Sequence, residues 1–232
     1  MNKTYKTSVV IVAAGKGTRM NSNINKQYIE IGNMPVLART IKVFDDSPVI
    51  DDIILVTNKD DLKLCKDNII DRYGFSKVRS ITAGGAQRQE SVYNGLLKAH
   101  KDTGIVLVHD GARPFVEESD IENCIKAARE YGAACISVPV KDTIKISDDK
   151  GFIEQTPARE KLWAVMTPQG FQYDILLKAH KKAMDDGFLG TDDAMLVERT
   201  GTLVKLVMGS YKNIKITTPE DINIAEAILK AL

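Results

Sequence analysis

The chain has 232 residues, of which 44% are hydrophobic and 27% charged, and a formal net charge of +1. That length suits one sizeable α/β core and would leave two thin domains if divided, so a single domain over residues 1–232 of an ordinary soluble type is expected. The near-neutral balance speaks against a sequence-independent nucleic-acid binder, which needs a basic face, and no apolar run approaches the ~18 residues of a membrane span.

The polar start "MNKTYKTS" has no apolar signal region with a cleavage site, so neither export nor insertion is expected. A β-branched run from Ser8 to Ala13 reads as a buried strand, and it breaks into a small glycine loop, Ala14-Gly15-Lys16-Gly17-Thr18-Arg19-Met20. A dinucleotide fingerprint would require a third glycine where Met20 stands, and a Walker A loop would require GxxxxGK followed by Ser or Thr. What remains is a glycine nest whose amides face an anion, supplemented by Arg19 and, after a polar stretch, Lys26. A triphosphate suits that combination; ordinary solvated loop charges are the alternative reading of Lys16, Arg19 and Lys26.

Further along, helical periods (Val36, Leu37, Ile41, Phe44; Leu62, Cys65, Ile69; Val92, Leu96, Leu97; Ile121, Ile125, Ala128) alternate with β-branched runs at Asp52 to Thr57, Val78 to Thr82, Ile105 to His109 and Ala134 to Val138. The alternation predicts a mostly parallel, Rossmann-like sheet flanked by helices, with ligands beyond the carboxyl ends of the strands. At those ends stand "AGGAQRQESV", with Gly85, Arg88 and Ser91, and "VHDGARPFV", with Asp110 and Arg113. A carboxylate at Asp110 can hold a divalent metal or a ribose hydroxyl, and the Arg113 guanidinium can grip a phosphate. Of the histidines, His109 reads as a satisfied strand-end residue, while His100 and His180 read as surface residues. Cys65, Cys124 and Cys135 are odd in number and scattered without ligand spacing, which predicts neither disulfides nor zinc and fits a reducing cytoplasm.

After Val138 the pattern changes. Thr143 to Ile146 and Phe152 to Gln155 flank "SDDKG", a hairpin turn, and the segment at about 139–160 has too few apolar residues for its own core. It reads as an arm projecting onto a partner subunit, a solvated hairpin being the alternative. The tail predicts helices at Tyr173 to Met184 and Asp192 to Arg199, strands at Leu203 to Met208 and Ile214 to Ile216, and a final helix capped by "TPED".

Several separated motifs, "AAGKGTRM", "NKQYIEIGNMPVL", "GGAQRQESV", "VHDGARPFV", "VPVKDTIK", "REKLWAVMTPQGF", "GTDDAMLVE" and "NIKITTPEDI", together resemble the 2-C-methyl-D-erythritol 4-phosphate cytidylyltransferases of the non-mevalonate isoprenoid pathway, over nearly the whole chain from Val9 to about Leu229. The resemblance implies a nucleotidyltransferase fold, CTP and magnesium as substrate and cofactor, and a homodimer through the arm. It implies that Gly15, Gly17, Arg19 and Lys26 hold the triphosphate, that Gly85 and Ser91 meet the cytosine, that Ala14 and Arg88 also bind the nucleotide, and that Asp110 lies by the ribose and the metal. Arg113, Thr143, Arg159, Thr167, Thr191 and Lys215 match positions around the sugar phosphate or the reacting phosphates, with Arg159 reaching the neighbouring subunit's site. The chain departs from the pattern at Gly111, where the family often has Ala, and at Met166, where many members have Gln. The ribitol 5-phosphate cytidylyltransferases share the glycine loop and the "TPQ" region, but "VPVKDTIK" and "HDGARPFV" look more like the erythritol group. A nucleotide-binding protein without catalysis is the alternative of another class.

The reaction this implies is attack by a phosphate monoester on the α phosphorus of CTP. No Ser/His/Asp or Cys/His set is present for covalent catalysis, and an already anionic nucleophile needs no general base. Arg19, Lys26 and Lys215 are the expected catalytic cations.

Overall fold

The computed structural model describes residues 5–15 and 28–231; Lys16, Gly17, Arg19 and Lys26 lie outside the described residues. In chain order, β1 (Lys6–Val12) is followed by a short ribbon, β2 (Glu30–Ile31) and β3 (Met34–Pro35), and by α1 (Val36–Asp46) and β4 (Asp52–Thr57). Helix α2 (Leu62–Cys65) continues as π-helical turns over Lys66–Asp71, before β5 (Val78–Ala83), α3 (Arg88–Leu96), β6 (Thr103–Asp110), α4 (Glu118–Tyr131) and β7 (Ala133–Pro139). The arm contributes β8 (Ile146–Ser147) and β9 (Ile153–Gln155); then come β10 (Trp163–Gln172), α5 (Tyr173–Asp185), α6 (Asp193–Glu198), β11 (Lys205–Met208) and α7 (Pro219–Lys230).

Among the described residues seven strands form the central sheet in the order β11-β7-β10-β6-β1-β4-β5, parallel except for β10, which runs antiparallel to both β6 and β7. The unbroken apolar runs of β1, β4 and β6 follow from burial on both faces. Val9, Ile11, Ile53, Leu55, Ile105 and Leu107 face Leu37, Ile41 and Phe44 of α1 and Ile121 and Ile125 of α4. Their alternate neighbours Val10, Ile54, Val56, Val106 and Val108 face Val92 and Leu96 of α3 and Leu176 and Ala179 of α5. A separate small cluster joins α7, through Ala225, to Ile31, Val36, Phe115 and Ile216.

Two expectations are corrected, and one strand, β10, was not expected from the sequence at all. The longest strand, β10, carries no clean alternation: Pro168 lacks an amide hydrogen and falls where the register with β7 shifts between Val165 and Gln169. Ile214 to Ile216 is no strand; the Ile214 amide turns back to Lys212 O at 2.7 Å, and the stretch is tied to the rest of the fold by the Ile216 amide donating to Ala112 O at 2.9 Å. His180 is wholly buried rather than on the surface. His109 is satisfied as expected. Its Nε2 meets the Arg113 carbonyl at 3.0 Å and must donate, which leaves Nδ1, 3.1 Å from Thr167 Oγ1, to accept. Burial pushes its pKa down to about 4, which agrees with this neutral tautomer.

Helix α7 starts as the sequence predicts. Thr218 and Asp221 form a capping box around Pro219, and the Asp221 carboxylate accepts from the amides of Thr217 and Thr218 at 2.7 and 2.8 Å. Thr218→Ala is expected to cost about 1 kcal/mol, lowering Tm by roughly 2–4 °C in a thermal melt.

Candidate functional site

The sheet changes direction at β1: the chain builds outward through β4 and β5, then returns to place β6 on the other side. A crevice opens at such a switch point, beyond the carboxyl ends of the strands. A cavity of about 500 Å³ lies there, lined by Ala13 to Gly15 after β1, Asn58 after β4, Gly85 to Arg88 after β5, Asp110 and Gly111 at the end of β6, and Lys215. The loops are extensions of the ladder: the amides of Ala13, Gly84 and Gly111 donate to Val56, Thr57 and Val12 carbonyls at 2.7, 2.8 and 2.9 Å.

The loop from Gly84 to Arg88 is shaped by α3. Ser91 Oγ accepts from the Gly85 amide at 3.1 Å and donates to Gln87 O at 3.0 Å, while Glu90 accepts from the Ala86 amide at 2.8 Å. A Cβ on Gly84 would stand 2.5 Å from that of Ala14 and 2.7 Å from Ser91 Oγ, so only glycine lets the two loops approach this closely. Ser91 lines the cavity with its hydroxyl already engaged in holding the loop.

Asp110 is the electrostatic centre. Lys215 Nζ stands 2.8 Å from Oδ2, Arg88 Nε 3.3 Å from Oδ1, and Arg113 Nε 3.6 Å from Oδ2. Burial alone would raise its pKa; Arg88, Lys215 and Arg113 overcome that and hold it well below the usual carboxylate range. The carboxylate is aimed from behind: the Asp110 amide donates to Thr167 Oγ1 at 3.1 Å, and Thr167 in turn donates to His109 Nδ1. Asn213, fully buried, donates to Thr167 O at 2.8 Å and receives Arg113 Nη1 on its carbonyl at 2.7 Å, bringing Lys215 to the cavity two residues later.

Arg88 has a second carboxylate partner. Its Nη1 donates to Asp193 Oδ2 at 2.7 Å, and Asp193 Oδ1 lies 3.0 Å from His180 Nε2. The Asp193 side chain is 1% exposed and that of His180 0%. Burial opposes the charge on Asp193, but Arg88 and His180 leave its pKa lowered. With Arg88, Arg113 and Lys215 against Asp110 and Asp193, the cluster carries surplus positive charge next to the cavity.

Of the sequence-predicted residues, the cavity gathers Ala14, Gly15, Gly85, Arg88, Ser91, Asp110 and Lys215. Arg113 and Thr167 stand behind it, engaged with Asp110. Thr191 lines a separate cavity of about 480 Å³ with Cys135, Val165 and Asp192. Thr143 is exposed on the arm, and Arg159 is exposed with its Nη1 donating to Lys141 O at 3.0 Å. Asn58, Asp193, His180 and Asn213 were not singled out from the sequence. Asp193 and Asn213 lie inside quoted motifs, which was the one available signal.

For a divalent metal the donor set is sparse: no cluster of three His, Cys, Asp or Glu occurs among the described residues. Both Asp110 oxygens are already paired with Lys215, Arg88 or Arg113, so the described residues could give a divalent ion at most one protein ligand, the rest coming from a substrate's phosphate oxygens and water. Asp110 fits such an ion as a single protein ligand.

The sequence profile of the 2-C-methyl-D-erythritol 4-phosphate cytidylyltransferases matches residues 7–231. A protein of that description from Caldanaerobacter subterraneus subsp. tengcongensis is 52% identical over 223 residues, covering 96% of this chain and 98% of its own. One from Geobacter metallireducens is 51% identical over 224 residues, covering 95% and 96%. Among solved structures, 4-diphosphocytidyl-2C-methyl-D-erythritol synthase from Anaerococcus prevotii superposes with a TM-score of 0.87 at 37% identity, covering 97% of this chain and 96% of that one. The Thermus thermophilus cytidylyltransferase gives 0.77 at 31% identity, covering 97% and 99%.

Proposed function

The chain belongs to the 2-C-methyl-D-erythritol 4-phosphate cytidylyltransferase family, and we propose that the cavity around Asp110 and Lys215 is where it performs that family's reaction. The activity joins CTP to 2-C-methyl-D-erythritol 4-phosphate in isoprenoid precursor synthesis. A phosphate oxygen of the sugar attacks the α phosphorus of CTP, the new P–O bond replaces the bond to the β phosphate, and pyrophosphate leaves. Two anions must meet, so catalysis consists of positioning and charge neutralisation.

The observation that carries the assignment is the surplus of positive charge beside a glycine-lined crevice at the switch point. Ala14, Gly15 and Gly85 leave room for the nucleotide, and Lys215 neutralises charge as the anions approach. Arg19 and Lys26 complete the set on the triphosphate by family resemblance. Asp110 is the residue that would hold a magnesium ion, which would supply further neutralisation of phosphate charge. Arg113 and Thr167 hold Asp110 in place. Incubation with CTP and magnesium should release pyrophosphate with methylerythritol phosphate and not with ribitol 5-phosphate. Release only with ribitol 5-phosphate would replace the substrate, and silence from folded protein that binds CTP would favour a binding role.

The arm supports a homodimer. Every residue of β8 and β9 is exposed, and Ile146 (43%), Phe152 (69%) and Ile153 (64%) present apolar surface that a partner would cover. Thr143 and Arg159, which are not among the residues lining their own chain's cavity, would serve the partner's site. Mixing inactive Lys26→Ala chains with inactive Arg159→Ala chains is then expected to recover part of the activity, since some dimers carry one intact composite site. No recovery in verified mixed dimers places both residues in one chain's site. The three cysteines are free and buried, which supports a reducing, cytoplasmic setting. No helix among the described residues is long and apolar enough to cross a membrane.

A further inference from the structure

We propose that Asp193 and His180, which line neither the nucleotide cavity nor the cavity at Thr191, are positioning residues that act through Arg88 on Asp110, and that Arg88 itself serves this chain of contacts rather than the nucleotide. The proposal rests on the Asp110 cavity being the reaction site. Lys215, Asp110, Arg88, Asp193 and His180 form an alternating line of basic and acidic groups at 2.8, 3.3, 2.7 and 3.0 Å. It runs from the cavity, past the start of α3 and α6, into the buried face of α5.

Arg88 is positioned by this line. Its Nε and Nη1 are held by two carboxylates that lie 83 residues apart in sequence, and a guanidinium can span them where the single ammonium of a lysine cannot. The far carboxylate is itself fixed. Gln169 Oε1 accepts from the amides of Asp193 and Ala194 at 3.2 and 3.1 Å, and Gln169 Nε2 donates to Asp192 Oδ2 at 2.7 Å. Asp192 also caps α6 by accepting from the Met195 amide at 2.9 Å. The amides that open α6 are thus engaged within the protein, so this helix start offers no anion site. Thr191 immediately precedes this braced segment. The same contacts therefore brace both Asp110 at the nucleotide cavity and the segment that follows Thr191 at the other cavity.

The experiment is steady-state kinetics on the full chain for Arg88→Ala, Arg88→Lys, Asp193→Asn, the Arg88→Ala/Asp193→Asn double variant, His180→Gln and His180→Leu. Rates are taken well below each variant's Tm and normalised to sites that bind CTP. Arg88→Ala and Asp193→Asn should each lower kcat about tenfold or more with KM for CTP within threefold, and Arg88→Lys should not rescue. The double variant should be no worse than the poorer single within threefold, because one linkage is broken either way. His180→Gln, which keeps a donor for Asp193, should retain at least a third of wild-type kcat, and His180→Leu should lose about tenfold. If Asp193→Asn does not fold, the histidine pair decides. A tenfold rise in KM for CTP in Arg88→Ala, rescued by lysine, makes Arg88 a nucleotide ligand and overturns the proposal. So does wild-type kcat in folded Asp193→Asn or His180→Leu. Failure of the reaction in the wild-type protein would instead overturn the site assignment.

Discussion

Lys215→Ala is expected to lower kcat by at least about a hundredfold while the protein stays folded. The Lys215 ammonium is the cation that combines close contact with Asp110, at 2.8 Å, with substantial exposure, its side chain being 36% accessible beside the cavity. It can therefore exchange its carboxylate contact for a phosphate oxygen at small cost, which the two-handed Arg88 cannot. Loss of one charge-stabilising donor in a transition state is worth ~2.7 kcal/mol or more, a hundredfold in rate. Folding should survive, because Asp110 keeps Arg88 and Arg113 and remains a paired carboxylate. Pyrophosphate release at saturating substrates, with circular dichroism as the control, checks it. Activity within threefold of wild type would show that the charge is dispensable and would move the catalytic burden elsewhere.

The parallel part of the sheet was legible because burial on both faces writes itself as short continuous β-branched runs: Asp52–Thr57 is the strand that its sequence predicts, and the other four runs differ only by a residue or two at their ends. The antiparallel member was not legible, since β10 passes from an exposed half into the core and crosses a proline at its register shift. Ile214 to Ile216 has strand-like composition for another reason. Ile216 is buried against α7's cluster, and its amide bond to Ala112 O belongs to no strand pairing, so apolar spacing there records packing without a ladder.

The candidate site was legible where a residue sits at or just past the end of a strand, as with Asp110 at the end of β6 and Gly15 and Gly85 after β1 and β5. It was not legible where a side chain is defined by a partner far along the chain. Arg88 reads as a nucleotide-binding residue next to glycines, and only the fold reveals Asp193 across from it. His180 reads as a surface residue within "KAHKKAM", whose flanking lysines suggest solvent. Its neighbour Ala179 and the later Ala183 are buried, and His180 falls on their face. A polar residue on the buried side of an amphipathic helix requires a partner, and that requirement was the missed clue.

That partnership underlies the second large effect. Asp193→Asn is expected to destabilise the protein by about 3–5 kcal/mol at neutral pH, because removing one member of a buried ion pair leaves the Arg88 guanidinium without a charged partner on that side. For a chain of this length that corresponds to a fall in Tm of roughly 6–20 °C. The pH dependence fixes the sign. Asp193 has a folded pKa below its unfolded value of about 3.9, so its contribution is fully present above roughly pH 5 and is lost as pH falls through the folded pKa. Below its unfolded pKa the wild-type protein binds a proton on unfolding at this position, and its stability declines with acid. In Asp193→Asn that term is gone, so the difference between the two proteins should narrow as pH is lowered from 5 towards 3. Urea unfolding at a series of pH values measures it. A gap that stays constant down to pH 3 would mean that the lost stability is packing or hydrogen-bond geometry, and that the buried charge on Asp193 contributes nothing to holding Arg88.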